Sequence, residues 1–125
     1  MERVDVERWV GAYVEAWQAS GTDALAGIFT DDATYSPSPW ATPMVGLVSI
    51  GEFWEAERDS PDESFDLTRE VVAVEGMAAV VRVSVDYGTG NRWRDLWVLQ
   101  FDQHGRCCVF EEWPFKPDQP DGHAS

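Results

Sequence analysis

The segment Arg92-Trp93-Arg94-Asp95-Leu96-Trp97 sets one carboxyl between two indoles, because alternate side chains of a strand share a face. Indole walls strip water from a carboxylate and raise its pKa toward the range useful for proton transfer. Asp95 is therefore a candidate acid or base; the plain alternative is a carboxylate near the strand entrance, bonded to Arg92, Arg94 or a helix end. A second acid comes from Glu111-Glu112, where alternation sends one of the two inward. Counting back from a hairpin turn at Gln103-His104-Gly105 sets Glu111 opposite Trp97 and Trp113 opposite Asp95. Tyr13 shares a helix face with Trp9, Val10 and Trp17. It suits equally a structural tyrosine bonded to a neighbour and a donor to a developing oxyanion. Two carboxyls in unlike surroundings can split their pKa values, so that one donates while the other abstracts a proton or orients water.

The chain has seven tryptophans in 125 residues, more than a small core needs. Trp17, Trp40, Trp54, Trp93, Trp97 and Trp113 can be placed around one cavity, and Tyr35 and Phe110 join them as expected lining for a flat, hydrophobic small molecule. Other groups offer less. Asp31-Asp32 directly after a helix reads as a turn and cap rather than a metal pair. The adjacent Cys107 and Cys108 have no histidine at hand to make a thiolate, and with His104 in a turn and His123 near the end there is no zinc spacing. Gly88-Thr89-Gly90 falls between strands, not between a strand and a helix as a nucleotide loop requires. No metal and no cofactor are expected.

The elements that must position these groups follow from periodicity. Val6, Trp9, Val10, Tyr13, Ala16 and Trp17 have helical spacing, with Asp5 as the expected cap and Ser20-Gly21 as the stop. A shorter helix carries Leu25, Ile28 and Phe29, then Asp31-Asp32 turns the chain into a short strand over Ala33 to Ser36. Pro37, Pro39 and Pro43 impose a loop that contains Trp40. Ser49-Ile50-Gly51-Glu52 has the spacing of a capping box and predicts the start of a third helix, stopped near Ser60-Pro61. Thereafter the period is two, predicting strands over Phe65 to Glu75, Met77 to Tyr87, Arg92 to Asp102 and Arg106 to Phe115. Helices followed by strands predict an α+β fold, a cone-shaped barrel of three N-terminal helices packed on a curved antiparallel sheet. The domain is expected to span 1–115, with 116–125 as a flexible tail.

Charge and composition set limits. Nine Lys and Arg against 23 Asp and Glu leave a net charge of −14, which repels phosphate backbones and anionic headgroups. Nucleic acid and membrane are not expected partners. No apolar run reaches a membrane span, and Met1-Glu2-Arg3-Val4-Asp5 opens on charges, so a cytoplasmic protein is expected.

Several strings resemble the NTF2-like superfamily, in particular its SnoaL-like cyclases and ketosteroid isomerases. They are Tyr13-Val14, Ile28-Phe29-Thr30-Asp31-Asp32-Ala33-Thr34, Gly46 with Ile50 and Glu52-Phe53-Trp54, and Gly105 followed by Glu111-Glu112-Trp113. The resemblance covers Val6 to Phe115. It implies the same cone and a homodimer, and it places the isomerases' oxyanion tyrosine on Tyr13. Their general base falls at about Pro37, their third-helix tyrosine on Trp54 and their second oxyanion donor on Trp97, so steroid-type isomerisation by that mechanism is not expected. The limonene epoxide hydrolase branch places its strand-borne and final-strand acids on Asp95 and Glu112, but its arginine on Trp93. It thus turns Glu112 inward where hairpin counting turns Glu111, and a bulge in the last strand would reconcile the two. SnoaL-like cyclases often use a pocket histidine, which this chain does not supply.

The expected function is cofactor-independent acid–base chemistry on a hydrophobic small molecule by Asp95 and Glu112, assisted by Tyr13: isomerisation, dehydration, cyclisation or epoxide opening. The alternative is a non-catalytic module that binds a hydrophobic ligand or pairs through its outer sheet face.

Overall fold

The computed structural model describes residues 1–58, 65–88 and 90–123. Helix α1 (Arg3–Gln18) buries Val6, Trp9, Val10, Tyr13 and Ala16. It starts earlier than expected: Glu2 precedes the first turn and its N–H donates to the Asp5 carboxylate at 2.8 Å, so Asp5 closes the helix end from inside rather than capping it. The second helix, α2 (Leu25–Ile28), is a single turn, and β1 (Phe29–Ser36) follows directly. Asp31 and Asp32 therefore lie in the strand, not in a turn, at the point where its pairing register slips and both side chains face solvent.

The triple-proline loop leads into β2 (Met44–Val45) and then α3 (Leu47–Glu57). Gly46 sets the start of α3 three residues before Ser49: at φ +90° it takes a conformation open to glycine, and its carbonyl accepts the Ile50 N–H at 3.1 Å. Ser49 and Glu52 are thus inside the helix and form no capping box at its start. The helix ends at Glu57, and the expected stop at Ser60-Pro61 lies outside the described residues.

Four strands follow as an antiparallel meander: β3 (Asp66–Glu75), β4 (Ala78–Asp86), β5 (Arg92–Phe101) and β6 (Cys107–Phe115). The sheet order is β2-β1-β6-β5-β4-β3, and β1 runs parallel to β6, so the sheet is mixed rather than purely antiparallel. The parallel pair arises because α3 and the meander intervene before the chain returns beside β1. With β2 and β3 as free edges the curved sheet does not close, and the helices cover its concave side.

The core is aromatic. Phe110 of β6 stacks on Tyr35 (4.4 Å between centroids, 10° between planes) and on Tyr13 (5.4 Å, 4°), while the Trp9 indole donates to the Ile28 carbonyl at 2.8 Å. Trp54, Phe29 and Phe110 are fully buried. Each such ring contributes about 1.5–3 kcal/mol by leaving water, which binds α1 and α3 to the sheet.

Candidate functional site

On β5 the alternation holds: Trp93, Asp95, Trp97, Leu99 and Phe101 face the helices, and Arg92 and Arg94 face solvent. Asp95 is only 6% exposed. On β6 a bulge decides which glutamate joins it. Phe101 pairs with Cys107 but Gln100 pairs with Val109, so Cys108 is an extra residue and everything after it is shifted by one. Glu112 thereby stands opposite Trp97 on the inner face, and Glu111 stands opposite Val98 on the outer face. Regular hairpin counting fails here because it has no place for the extra residue. Trp113 is turned outward with Glu111, 39% exposed, its indole donating to the Glu111 carboxylate at 2.8 Å.

The sheet, α1 and α3 line a half-open cavity of about 360 Å³. Of the residues singled out in the sequence, Tyr13, Trp17, Tyr35, Trp93, Asp95, Trp97 and Glu112 line it. Trp40, Trp54 and Phe110 do not. Trp40 is 98% exposed because the proline loop carries it away from the body of the fold. Trp54 is fully buried behind Trp17, at 4.8 Å, and Phe110 lies behind the two tyrosines, so both support the wall without reaching the space.

The sequence reading passed over Phe53, Glu57, Phe65, Asn91 and Lys116 as site residues, and these also line the cavity. Phe53 and Glu57 carried a signal, since residues four apart on a helix share a face. Lys116 carried none. It follows the last strand in a segment read as tail, yet its ammonium lies 4.7 Å from the centroid of the Trp93 ring.

Burial raises the Asp95 carboxyl above its ordinary value, opposed by hydrogen bonds from Glu112 and from the Trp97 indole, whose Nε1 is 3.4 Å from Oδ2. Glu112 is pushed well above the ordinary glutamate range, first by burial, then by its hydrogen bond to Asp95 and the charge of Asp95, with the charge of Glu57 adding to the push. Two carboxyls in hydrogen-bond contact cannot both stay ionised. Both carboxyls are thus held above their ordinary ranges, Glu112 the more strongly, which suits Glu112 to donate a proton and Asp95 to accept one.

Beside them the Tyr13 and Tyr35 hydroxyls are 3.0 Å apart. Burial raises both phenols well above their usual value, and the charge of Glu112 adds to it. Both therefore remain neutral O–H groups able to donate to an oxygen that gains charge. Among the described residues no group of three His, Cys, Asp or Glu side chains is placed to hold a metal. His104 is exposed in the β5–β6 turn, away from the cavity.

Solved structures share this architecture. A candidate SnoaL-like polyketide cyclase from Jannaschia sp. CCS1 superposes with a TM-score of 0.70 at 17% identity, over 88% of this chain and 84% of its own. A candidate ketosteroid isomerase from Kribbella flavida DSM 17836 gives 0.69 at 17% identity, over 97% and 82%. An LEH-like epoxide hydrolase from M. tuberculosis gives 0.60 at 14% identity, over 90% and 84%. Identities this low speak for the fold, and the activity each is named for belongs to that protein. No curated protein matches the chain. The family profile of the SnoaL-like domain matches residues 10–109, and the chain belongs to that family. No helix among the described residues is long and apolar enough to cross a membrane.

Proposed function

We propose that this protein is a small-molecule enzyme that moves protons on a hydrophobic substrate with its own carboxyl groups. The observation that carries the proposal is the carboxyl pair, Asp95 and Glu112, meeting in the cavity wall from the paired strands β5 and β6. In this mechanism the Glu112 O–H protonates a substrate oxygen, whether carbonyl, hydroxyl or epoxide. The Asp95 carboxylate removes a proton from carbon or from an attacking water. Tyr13 and Tyr35, as neutral phenols, donate to an oxyanion that forms within their reach. Trp17, Trp93 and Trp97 supply apolar walls that exclude water and hold a flat ring system. Arg92 and Arg94 face away from the cavity, so no β5 arginine is available to assist epoxide opening. This favours reactions at a carbonyl or hydroxyl: isomerisation, dehydration or cyclisation.

The test is a mass-spectrometric turnover screen of enones, hydroxy-ketones and epoxides with wild type, Asp95→Asn and Glu112→Gln. Wild type is expected to form product, and each variant to lose on the order of 10²–10⁴-fold in rate, the usual worth of a positioned acid or base. Retention of compounds with no product, equal in all three proteins, would replace the enzyme with a binding module. The proposal extends to a homodimer through the outer sheet face, where Trp113 and Phe115 are exposed. Sedimentation equilibrium showing only monomer at micromolar concentration would remove it.

A further inference from the structure

The cavity wall has an uneven chemistry. Glu57, Asp95 and Glu112 bring three carboxyl groups to it, and the only basic side chain among its described residues is Lys116. Between the acids stand the rings of Trp17, Trp93 and Trp97, whose faces carry negative potential. An anion placed here meets repulsion from the three carboxyl groups, and among the described residues Lys116 is the one charge of the wall that would attract it. A neutral apolar molecule would displace water from the Asp95 charge without supplying a countercharge, which is costly.

Two further observations point to what compensates it. The Asp95 carboxyl, 6% exposed, receives the Trp97 indole N–H at Oδ2 at 3.4 Å, and its buried Oδ1 has no hydrogen-bond partner, so few protein donors meet the charge of the carboxyl pair. The Lys116 ammonium meanwhile sits over the Trp93 ring at 4.7 Å, so one wall of this cavity already holds a primary ammonium by its aromatic face.

We infer that the compound this cavity takes is a hydrophobic amine in its protonated form, its N–H directed to the Asp95–Glu112 carboxyl pair and its substituents held against the indole faces. The inference names the substrate class of the proposed enzyme and rests on that reading of the same cavity. The tryptophan rings hold the carbon groups around the nitrogen, and Glu57 together with the Asp95–Glu112 pair supplies the countercharge. Lys116 competes for the same field at Trp93.

The experiment is calorimetric titration of the full chain at neutral pH with three probes of similar size: N,N-dimethylbenzylamine as cation, N,N-dimethylbenzamide as neutral match and phenylacetate as anion. The amine is expected to bind at least about tenfold more tightly than the amide, as a desolvated cation–π contact plus an ion pair should give, with phenylacetate weakest. Glu57→Gln, at an exposed position, and Asp95→Asn should each reduce that preference several-fold. Lys116→Gln should strengthen amine binding, because it removes the resident ammonium. The inference is overturned if the amide or phenylacetate binds as well as the amine, if no probe binds at millimolar concentration, or if both acid variants keep the full preference. The turnover screen fails or succeeds separately. Asp95-dependent turnover of neutral substrates alone would keep the enzyme and discard the amine, whereas amine-selective binding without turnover would keep the amine and discard the proton-transfer chemistry.

Discussion

Glu111 and Glu112 are consecutive on β6, and the two faces of the sheet give their carboxyls opposite surroundings. Glu112 is enclosed with Asp95 and Trp97, and its pKa is pushed up. Glu111 lies on the outer face and accepts the Trp113 indole N–H in partial solvent contact. The same contrast runs along the strand: Phe110 stacks on two tyrosines inside, while Trp113 lies half open outside. What separates the two sets is parity along the strand, and parity here depends on one extra residue, Cys108. Residue type alone therefore says little about chemistry in this sheet; the face decides it.

Single-residue deletions should break the comparison most sharply. Removing Glu111 forces either Phe110 out of the core or Glu112 out of the cavity, and should cost about 3–5 kcal/mol, a large share of the stability of an ordinary domain. Removing Cys108 takes out only the unpaired residue and leaves Glu112 opposite Trp97, so it should change stability by about 1 kcal/mol or less. Thermal unfolding of the two deletions, three residues apart on one strand, should give opposite results. Equal losses would mean that the bulge does not set the register.

Truncation of the aromatics should give the next largest contrast. Phe110→Ala removes a fully buried ring and should cost about 3–5 kcal/mol, whereas Trp113→Ala should cost about 1 kcal/mol or less in urea unfolding. Trp113 proving as costly as Phe110 would show its outer face to be buried in solution, as a dimer requires.

A smaller effect concerns pH. An acid whose pKa is raised on folding holds its proton more firmly in the folded chain, so its contribution is most favourable at low pH. That contribution is lost as pH rises from the ordinary carboxyl range toward the raised value. Both Asp95 and Glu112 are raised, so stability should fall across this window. Glu112→Gln should flatten the fall and stabilise the protein above it by about 1 kcal/mol, a few degrees in Tm. The smallest effect is expected at Trp40, 98% exposed, where alanine should change stability by no more than about 0.5 kcal/mol in thermal unfolding.

These contrasts also mark what was legible in the sequence. The four long strands followed from period-two patterning, and the inward face of β5 from simple alternation, because local repeats report local geometry. The orientation of Glu112 was not legible from hairpin counting, since a bulge changes the count without a composition signal of its own; only the resemblance to related folds pointed to it. The start of α3 was missed because a positive φ at Gly46 turns the chain before the apparent cap at Ser49. Trp40 was misplaced because an indole between prolines looks the same in sequence whether its loop folds over a cavity or away from it. The parallel pairing of β1 with β6 joins segments more than 70 residues apart, beyond the reach of any local pattern.

The cluster of rings has an optical consequence. Trp17 faces the cavity and touches Trp54, with ring centroids 4.8 Å apart and planes at 73°, close enough for their excited states to couple. Such a pair should give a signed couplet in circular dichroism, and a molecule that displaces the Trp17 ring would change its amplitude. The exposed indoles of Trp40 and Trp113, remote from this pair, contribute only background. The protein thus carries its own occupancy gauge, and the arrival of a colourless compound can be followed without any label.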